Sequence, residues 1–328
     1  MPTRSLFDAA SRHSRTQTAR TSVRRSGLRA THSISPLRVE TRSGLMDSLV
    51  MAEPFLAQLI IVVDMGRVLA TILAHPDDET FGTGGTLIRY ASEGFDVHSL
   101  CLTEGEQGWA GGEGAPVIPR EHVGAARALE LAEAGRRMGL RSTTCLKYPD
   151  GGLAGVSAEH VIQDIVRWLR AVRPDVVITW GPDGGYGHPD HIAAGERALR
   201  AIDLAGIERY QPELGDHVHV KRVYRFVASA DLVDNLKQLV PEFADYISTL
   251  AVKPQRWTRD RLGAVIDAQE FIDRKVDAML AHRTQSPDLK MWMRVKESRP
   301  TILSEEHFVR EFPDPHGPLE TDLFAALR

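Results

Sequence analysis

From Arg67 onward the apolar and polar positions settle into two alternating rhythms. Short continuous apolar runs, bounded by polar, Gly or Pro residues, predict buried strands at Arg67–Ala74, Val97–Thr103, Thr143–Tyr148, Asp175–Trp180 and Arg222–Ala228. Between them lie segments with helical punctuation. Thr86–Glu93 is ended by Gly94. Arg120–Met138 carries Val123, Ala126, Leu129 and Ala132 at roughly helical spacing, and Gly139 caps it. Ala158–Val172 follows Ser157, a good N-cap, and Asp190–Ile202 is the last of the series. Strands alternating with helices predict an α/β fold of βαβ units, with a mainly parallel central sheet covered on both faces in three layers. In such a fold, ligands bind beyond the carboxyl ends of the strands. His75, Thr103, Asp150 and the Gly181–His191 turn all fall at predicted carboxyl ends. The long Gly- and Pro-rich loop from Gly105 to Pro119 is of the kind that often carries function. From about residue 230 the pattern weakens; Gln255–His282 reads as helix-bearing and Pro313–Pro318 as a tail loop.

The N-terminal stretch has none of this rhythm. Arg4, Arg12, Arg15, Arg20, Arg24, Arg25, Arg29, Arg38 and Arg42 stand among Ser and Thr, with only Asp8 and Glu40 as acids before residue 45. Such a composition cannot bury enough apolar surface to fold. Two readings fit it: an organelle transit peptide, or a start codon set too far upstream, since Met46, Met51 and Met65 precede the first strand. On either, residues 1–65 are a disordered extension and residues 66–328 a single domain. A cytoplasmic location follows unless the Arg-rich stretch is a targeting signal.

Bulk composition narrows the field. Of 328 residues, 42% are hydrophobic and 26% charged, as in ordinary globular proteins. A net charge of -4 gives no reason to expect nucleic acid as a partner. The most apolar run, Phe55–Ala74, is interrupted by Asp64 and Arg67, so no membrane span is expected. Cys101 and Cys145 both sit in strand-like runs and read as free thiols. With so few cysteines, any metal must use His and carboxylate.

Two segments offer those ligands. His75-Pro-Asp-Asp-Glu79 follows the first strand, and Tyr186-Gly-His-Pro-Asp-His191 follows the fourth. His75 and Asp78 can point into one crevice, and His191 supplies a third ligand. Two His and one carboxylate, with water completing the sphere, is a common catalytic zinc set. Such a metal lowers the pKa of its water and polarises a carbonyl oxygen. Asp77 is then free to accept a proton. Asp190 is expected to bond the His188 ring and hold it as the imidazolium. Cationic His188 and the Tyr186 hydroxyl would stabilise an oxyanion, and His188 could protonate a leaving amine. The bland readings are a helix cap for Asp77, an indirect supporting role for His188 and simple packing for Tyr186. Gly82-Thr-Gly-Gly85 lacks the G-x-G-x-x-G spacing of a phosphate loop and reads instead as close helix–sheet packing.

The paired motifs resemble the signature of the PIG-L/LmbE family of metal-dependent N-acetylglucosaminyl deacetylases, over about Val68 to His282. Gly184–His191 resembles the branch that handles sugar-linked thiols. The resemblance implies a Rossmann-like fold without a dinucleotide, with His75, Asp78 and His191 as ligands and Asp77 as general base. His188, Asp190 and Tyr186 would assist the tetrahedral intermediate. It also implies a substrate-facing Arg127, Asp150 bonding a sugar hydroxyl, and Glu106 as a further polar contact. Many relatives carry Arg where Glu104 stands here. His282 resembles a C-terminal family element, or else it is a helix-end histidine facing the dipole. The implied metal is Zn2+, with Fe2+ as the alternative, and the implied substrate is an N-acetylated amino sugar or glycoside. A homo-oligomer is left open. Amide cleavage of a sugar–thiol conjugate is a second hydrolytic reading. A non-catalytic Rossmann-like ligand-binding protein, using Gly82–Gly85, is the reading of another class.

Overall fold

The computed structural model describes residues 67–110, 116–249, 251–286 and 299–327. The N-terminal extension expected over residues 1–65 lies outside the described residues.

Among the described residues, seven strands form one sheet in the order β3-β2-β1-β4-β5-β7-β6. They are β1 Val68–Leu73, β2 Asp96–Thr103, β3 Ser142–Tyr148, β4 Val176–Trp180, β5 Arg222–Phe226, β6 Ala264–Asp267 and β7 Glu305–Phe312. The five predicted strands are parallel to one another, with Leu69 paired to both Val97 and Val176. β7 runs antiparallel between β5 and β6. The predicted α/β sheet is therefore present, and its antiparallel edge is additional.

Helices cover both faces. α1 (Asp78–Ser92), α2 (Val123–Met138) and α8 (Ile272–Met279) line one of them. Leu87, Ile88, Tyr90, Met138 and Ala278 pack there on Leu69, Val97, Val176 and Ile178. α3 (Ala158–Val172) and α5 (Pro189–Ala205) line the other, where Val161, Ile165, Leu169, Ala194 and Ala198 meet Ala70, Ile72, Leu100 and Val177. A single turn, α4 (Gly184–Gly187), precedes α5. α6 (Ala230–Leu239), α7 (Pro241–Thr249) and α9 (Arg299–Leu303) complete the C-terminal part.

Two departures from the sequence pattern have physical causes. α1 begins at Asp78 rather than Thr86, because packing overrides the low helix propensity of its glycines. A Cβ at Gly85 would lie 2.3 Å from the Ala268 Cβ, and one at Gly82 3.0 Å from the Phe226 ring. These glycines let the helix settle on its neighbours, as the close-packing reading expected. β7 was hidden by its charges. Glu306 and Arg310 are buried in it, each satisfied from elsewhere: Glu306 by Lys275 at 2.6 Å, Arg310 by Glu320 at 2.8 Å. In sequence those charges look like a solvated segment.

Candidate functional site

β1 and β4 are adjacent, and the chain leaves them in opposite directions across the sheet, toward β2 and toward β5. The crevice beyond their carboxyl ends is the topological switch point of the fold. Both motifs open onto it.

At the end of β1 the chain turns sharply into α1. Asp78 folds back, and its Oδ2 accepts from the amides of Ala74 (3.0 Å) and His75 (2.9 Å) and from the Trp180 indole (3.2 Å). Its Oδ1 stands 3.3 Å from His191 Nε2. Asp77 sits at φ 122°, ψ −26°. That region is unfavourable for a residue with a Cβ and costs about 1–3 kcal/mol unless the surroundings impose it. Here they do. Its amide donates to Glu79 Oε2 at 3.0 Å, and its carbonyl accepts from Thr80 and Phe81. Its Oδ2 pairs with Arg127 at 3.0 Å.

At the end of β4, Asp183 fixes the approach to the second motif. Its carboxylate accepts from Gly185, Gln255 and the Trp257 indole. His188 caps α5, its Nδ1 accepting from the Asp190 amide at 3.2 Å. A neutral His188 therefore carries its proton on Nε2. The His191 Nδ1 faces the Gly184 carbonyl at 3.1 Å, which sets that ring to donate there and leaves its Nε2 lone pair inward. Trp180 stacks on His191 at 3.9 Å.

The three candidate ligands meet. His75 Nδ1 is 3.0 Å from His191 Nε2 and 3.9 Å from Asp78 Oδ2. Two ring nitrogens this close repel unless a proton or a cation stands between them. The far side of His75 is acidic: its Nε2 lies 3.1 Å from Asp150 Oδ1 and 3.4 Å from Asp190 Oδ2, yet among the described residues it makes no aligned hydrogen bond. Burial would push His75 down, but those carboxylates outweigh it and carry it up to about 10. A site that so favours positive charge, lined by imidazole and carboxylate, fits a divalent cation. The donor atoms of His75, His188 and His191 also fall within 4.8 Å of one another, as do those of His75, Asp150 and Asp190. In those groupings His188 Nδ1 is already engaged, and both carboxylates are held by backbone amides.

Charge around the site is finely set. Burial pushes Asp77 up to about 7, against the pull of the Arg127 cation. Burial would raise Asp78 as well, but His191 and His75 hold it well below the usual carboxylate range. Burial, reinforced by His191 and His75, drives His188 down to about 3.

Several predicted residues take places the sequence did not foretell. Asp190 meets the His188 ring through its backbone amide and not through its carboxylate. Its Oδ2 and Oδ1 accept from Gly151 (2.7 Å) and Leu153 (3.0 Å), because the α5 N-terminus turns it toward the Asp150 loop. With burial and two neighbouring histidines against it, His188 is not held as an imidazolium. Arg127 is buried, not solvated, and clasps Gly105 O, Pro76 O and Asp77. Asp150 reaches the cluster. Glu106 instead accepts from the Asp150 amide at 2.9 Å and braces that loop. The Tyr186 ring centre is 5.2 Å from that of His191 and 6.1 Å from that of His188, at the rim of the cluster. His282, just past the end of α8, is fully buried and its ring bonds Glu79 at 2.8 Å. Glu79, Trp180 and Asp183 were missed as parts of the site. Only Glu79 carried a signal, as the acid closing the first motif.

A three-layer α/β fold with a His–Asp–His cluster and spare acid–base groups at its switch point is the architecture of a metal-assisted hydrolase. Comparison with known proteins makes this specific. Residues 70–202 match the model of the PIG-L family, described as GlcNAc-PI de-N-acetylase. The chain is 34% identical over 276 residues to the 1D-myo-inositol 2-acetamido-2-deoxy-alpha-D-glucopyranoside deacetylase of Rhodococcus opacus (strain B4), covering 74% of this chain and 91% of that one. The chain belongs to the PIG-L family. The crystal structure of the conserved protein TT1542 from Thermus thermophilus superposes with a TM-score of 0.55 at 28% identity, over 76% of this chain and 96% of that one. The N,N'-diacetylchitobiose deacetylase from Pyrococcus horikoshii, at 21% identity and a TM-score of 0.56 over 77% and 85% of the two chains, shares the fold.

Proposed function

We propose that this protein is a hydrolase that removes the acetyl group from an N-acetylglucosamine-type substrate, a small glycoside rather than a macromolecule. The observation that carries the reading is the division of labour at the switch point. His75, Asp78 and His191 converge, while Asp77 and His188 flank them without being needed as ligands. The relatives' names agree with that chemistry.

His75 Nδ1, Asp78 Oδ1 and His191 Nε2 would hold the cation, read here as zinc with ferrous iron as the alternative. When bound, a divalent cation acidifies a water and polarises the acetamide carbonyl. Asp77, carried up to about 7 by burial, is matched to take a proton from the attacking water near neutral pH. Arg127 fixes which way the Asp77 carboxylate faces. His188, with its proton on Nε2, donates toward the developing oxyanion, and Tyr186 at the rim is placed to add its hydroxyl. As the C–N bond breaks, the amine takes from Asp77 the proton that Asp77 accepted from water, while neutral His188 only donates a hydrogen bond. Asp150, beside His75, is placed to receive a sugar hydroxyl. A cytoplasmic location is part of the proposal, with an organelle as the alternative if the Arg-rich N-terminal stretch is a targeting signal.

The test is acetate release from a panel of N-acetylglucosaminides by the zinc- or iron-loaded protein. Wild-type protein should release acetate and the free amine in equal amounts, and Asp77→Asn should not. Acetate release at the wild-type rate by metal-replete Asp77→Asn would refute the assignment of the base. Amine release without acetate would mean that another amide is the substrate.

A further inference from the structure

We infer that Glu79 and His282 form a buried positioning pair that holds Asp77 in its reactive place. The inference rests on the reading of Asp77 as general base.

The geometry runs in one line. His282 Nε2 meets Glu79 Oε1 at 2.8 Å, and Glu79 Oε2 accepts the Asp77 amide at 3.0 Å. The contact spans 203 residues, from the loop after α8 to the first turn of α1. His282 is 0% and Glu79 1% exposed. Among the described residues the other His282 nitrogen, Nδ1, is buried without a hydrogen-bond partner.

A plain helix cap needs none of this. An acid in the first turn that reaches back to the preceding amide is ordinarily solvated and independent of the rest of the chain. Here the capping acid is sealed away from water, and the fold brings an imidazole from a distant segment to satisfy it. The capped amide belongs to the residue at φ 122°. Asp77 is thus gripped twice, at its amide by Glu79 and at its carboxylate by Arg127. Releasing the amide grip frees the strained turn to relax and moves the carboxylate off line, while the candidate donors Asp78 and His191 keep their own bonds, Asp78 to the Ala74 and His75 amides and the Trp180 indole, His191 to the Gly184 carbonyl. Neither Glu79 nor His282 faces the reacting atoms, so both are positioning residues.

A double-mutant cycle on the metal-loaded full chain tests this, with kcat, KM and metal content read for each variant. Glu79→Ala and His282→Ala should each lower kcat by about 30- to 100-fold, the scale of a displaced reacting group, with KM and metal content near wild type. Glu79→Gln, which keeps an acceptor for the Asp77 amide, should recover at least about tenfold of that loss. In an Asp77→Ala background, His282→Ala should cost nothing more, because its effect passes through Asp77. Multiplicative losses would overturn the inference, as would wild-type kcat in both single variants, or loss of activity only in step with loss of metal. His282→Leu, which fills the space without the donor, carries the same cycle if the alanine variant does not fold. If Asp77→Ala itself leaves kcat unchanged, the base reading fails and the pair falls with it.

Discussion

The two motifs that build the site are held in different ways. The segment after β1, His75 to Glu79, is tied to the protein at nearly every polar atom. Asp78 Oδ2 accepts three hydrogen bonds, and Asp77 is bound through its amide, carbonyl and carboxylate. The partners come from β4, α2 and the loop after α8. The segment after β4, Tyr186 to His191, is anchored by Asp183 before it and, at its far end, by the Asp190 carboxylate on Gly151 and Leu153, the His191–Gly184 bond and Trp180 stacking. Between those anchors Tyr186 and His188 remain partly exposed. The first segment is a rigid platform for the cation and the base, where small displacements are expensive. The second keeps two groups at the mouth, where a substrate must be met.

The contrast is open to direct attack. The largest effect should come from the shared cluster. Removing metal with a chelator, or replacing His75 or His191 by Ala, should abolish acetate release and bring metal stoichiometry toward zero, with zinc or iron restoring only the chelated wild type. Asp77→Asn should come next, lowering kcat by about 10³-fold or more with metal retained. His188→Ala should cost about 10²-fold in kcat, because the mouth supplies stabilisation rather than the base. Equal losses at Asp77 and His188 would erase the distinction between platform and mouth. Arg127→Leu probes the platform electrically. The Arg127 cation holds the Asp77 carboxyl down, so without it Asp77 rises further. The acid limb of kcat/KM should then move to higher pH, with about tenfold less activity near pH 7. An unmoved limb would break the link between the two residues.

The smallest effect is on stability. Asp77 is raised from 3.8 to about 7, so the folded, metal-free chain binds more protons than the unfolded one between those values. Its contribution to stability therefore falls as pH rises through that window. Asp77→Asn removes this term. Its unfolding free energy relative to wild type should climb by about 1–3 kcal/mol from pH 4 to pH 7 in denaturant titrations.

The parallel sheet was legible because its strands are continuous apolar runs with clear stops. The site was legible where residues of one chemistry crowd a strand end. His75, Asp77, Asp78, His188 and His191 could be listed from spacing alone. β7 could not, because its buried Glu306 and Arg310 look like surface until Lys275 and Glu320 are brought to them. The start of α1 could not, because its glycines argue against a helix until the facing residues show why no side chain fits. The partner of Asp190 was misjudged for a related reason. Nearness in sequence suggested His188, whereas a helix start aims adjacent side chains in different directions.

The sequence by itself determined the class of fold, the pair of motifs and the kinds of group that would gather, since these follow from local periodicity and residue chemistry. Only the tertiary structure decided which atoms face one another. It set Arg127 on Asp77, Asp190 on the Asp150 loop, and His282 on Glu79 across 203 residues. Such pairings are paid for by burial of the whole core, and no local pattern in the chain records them.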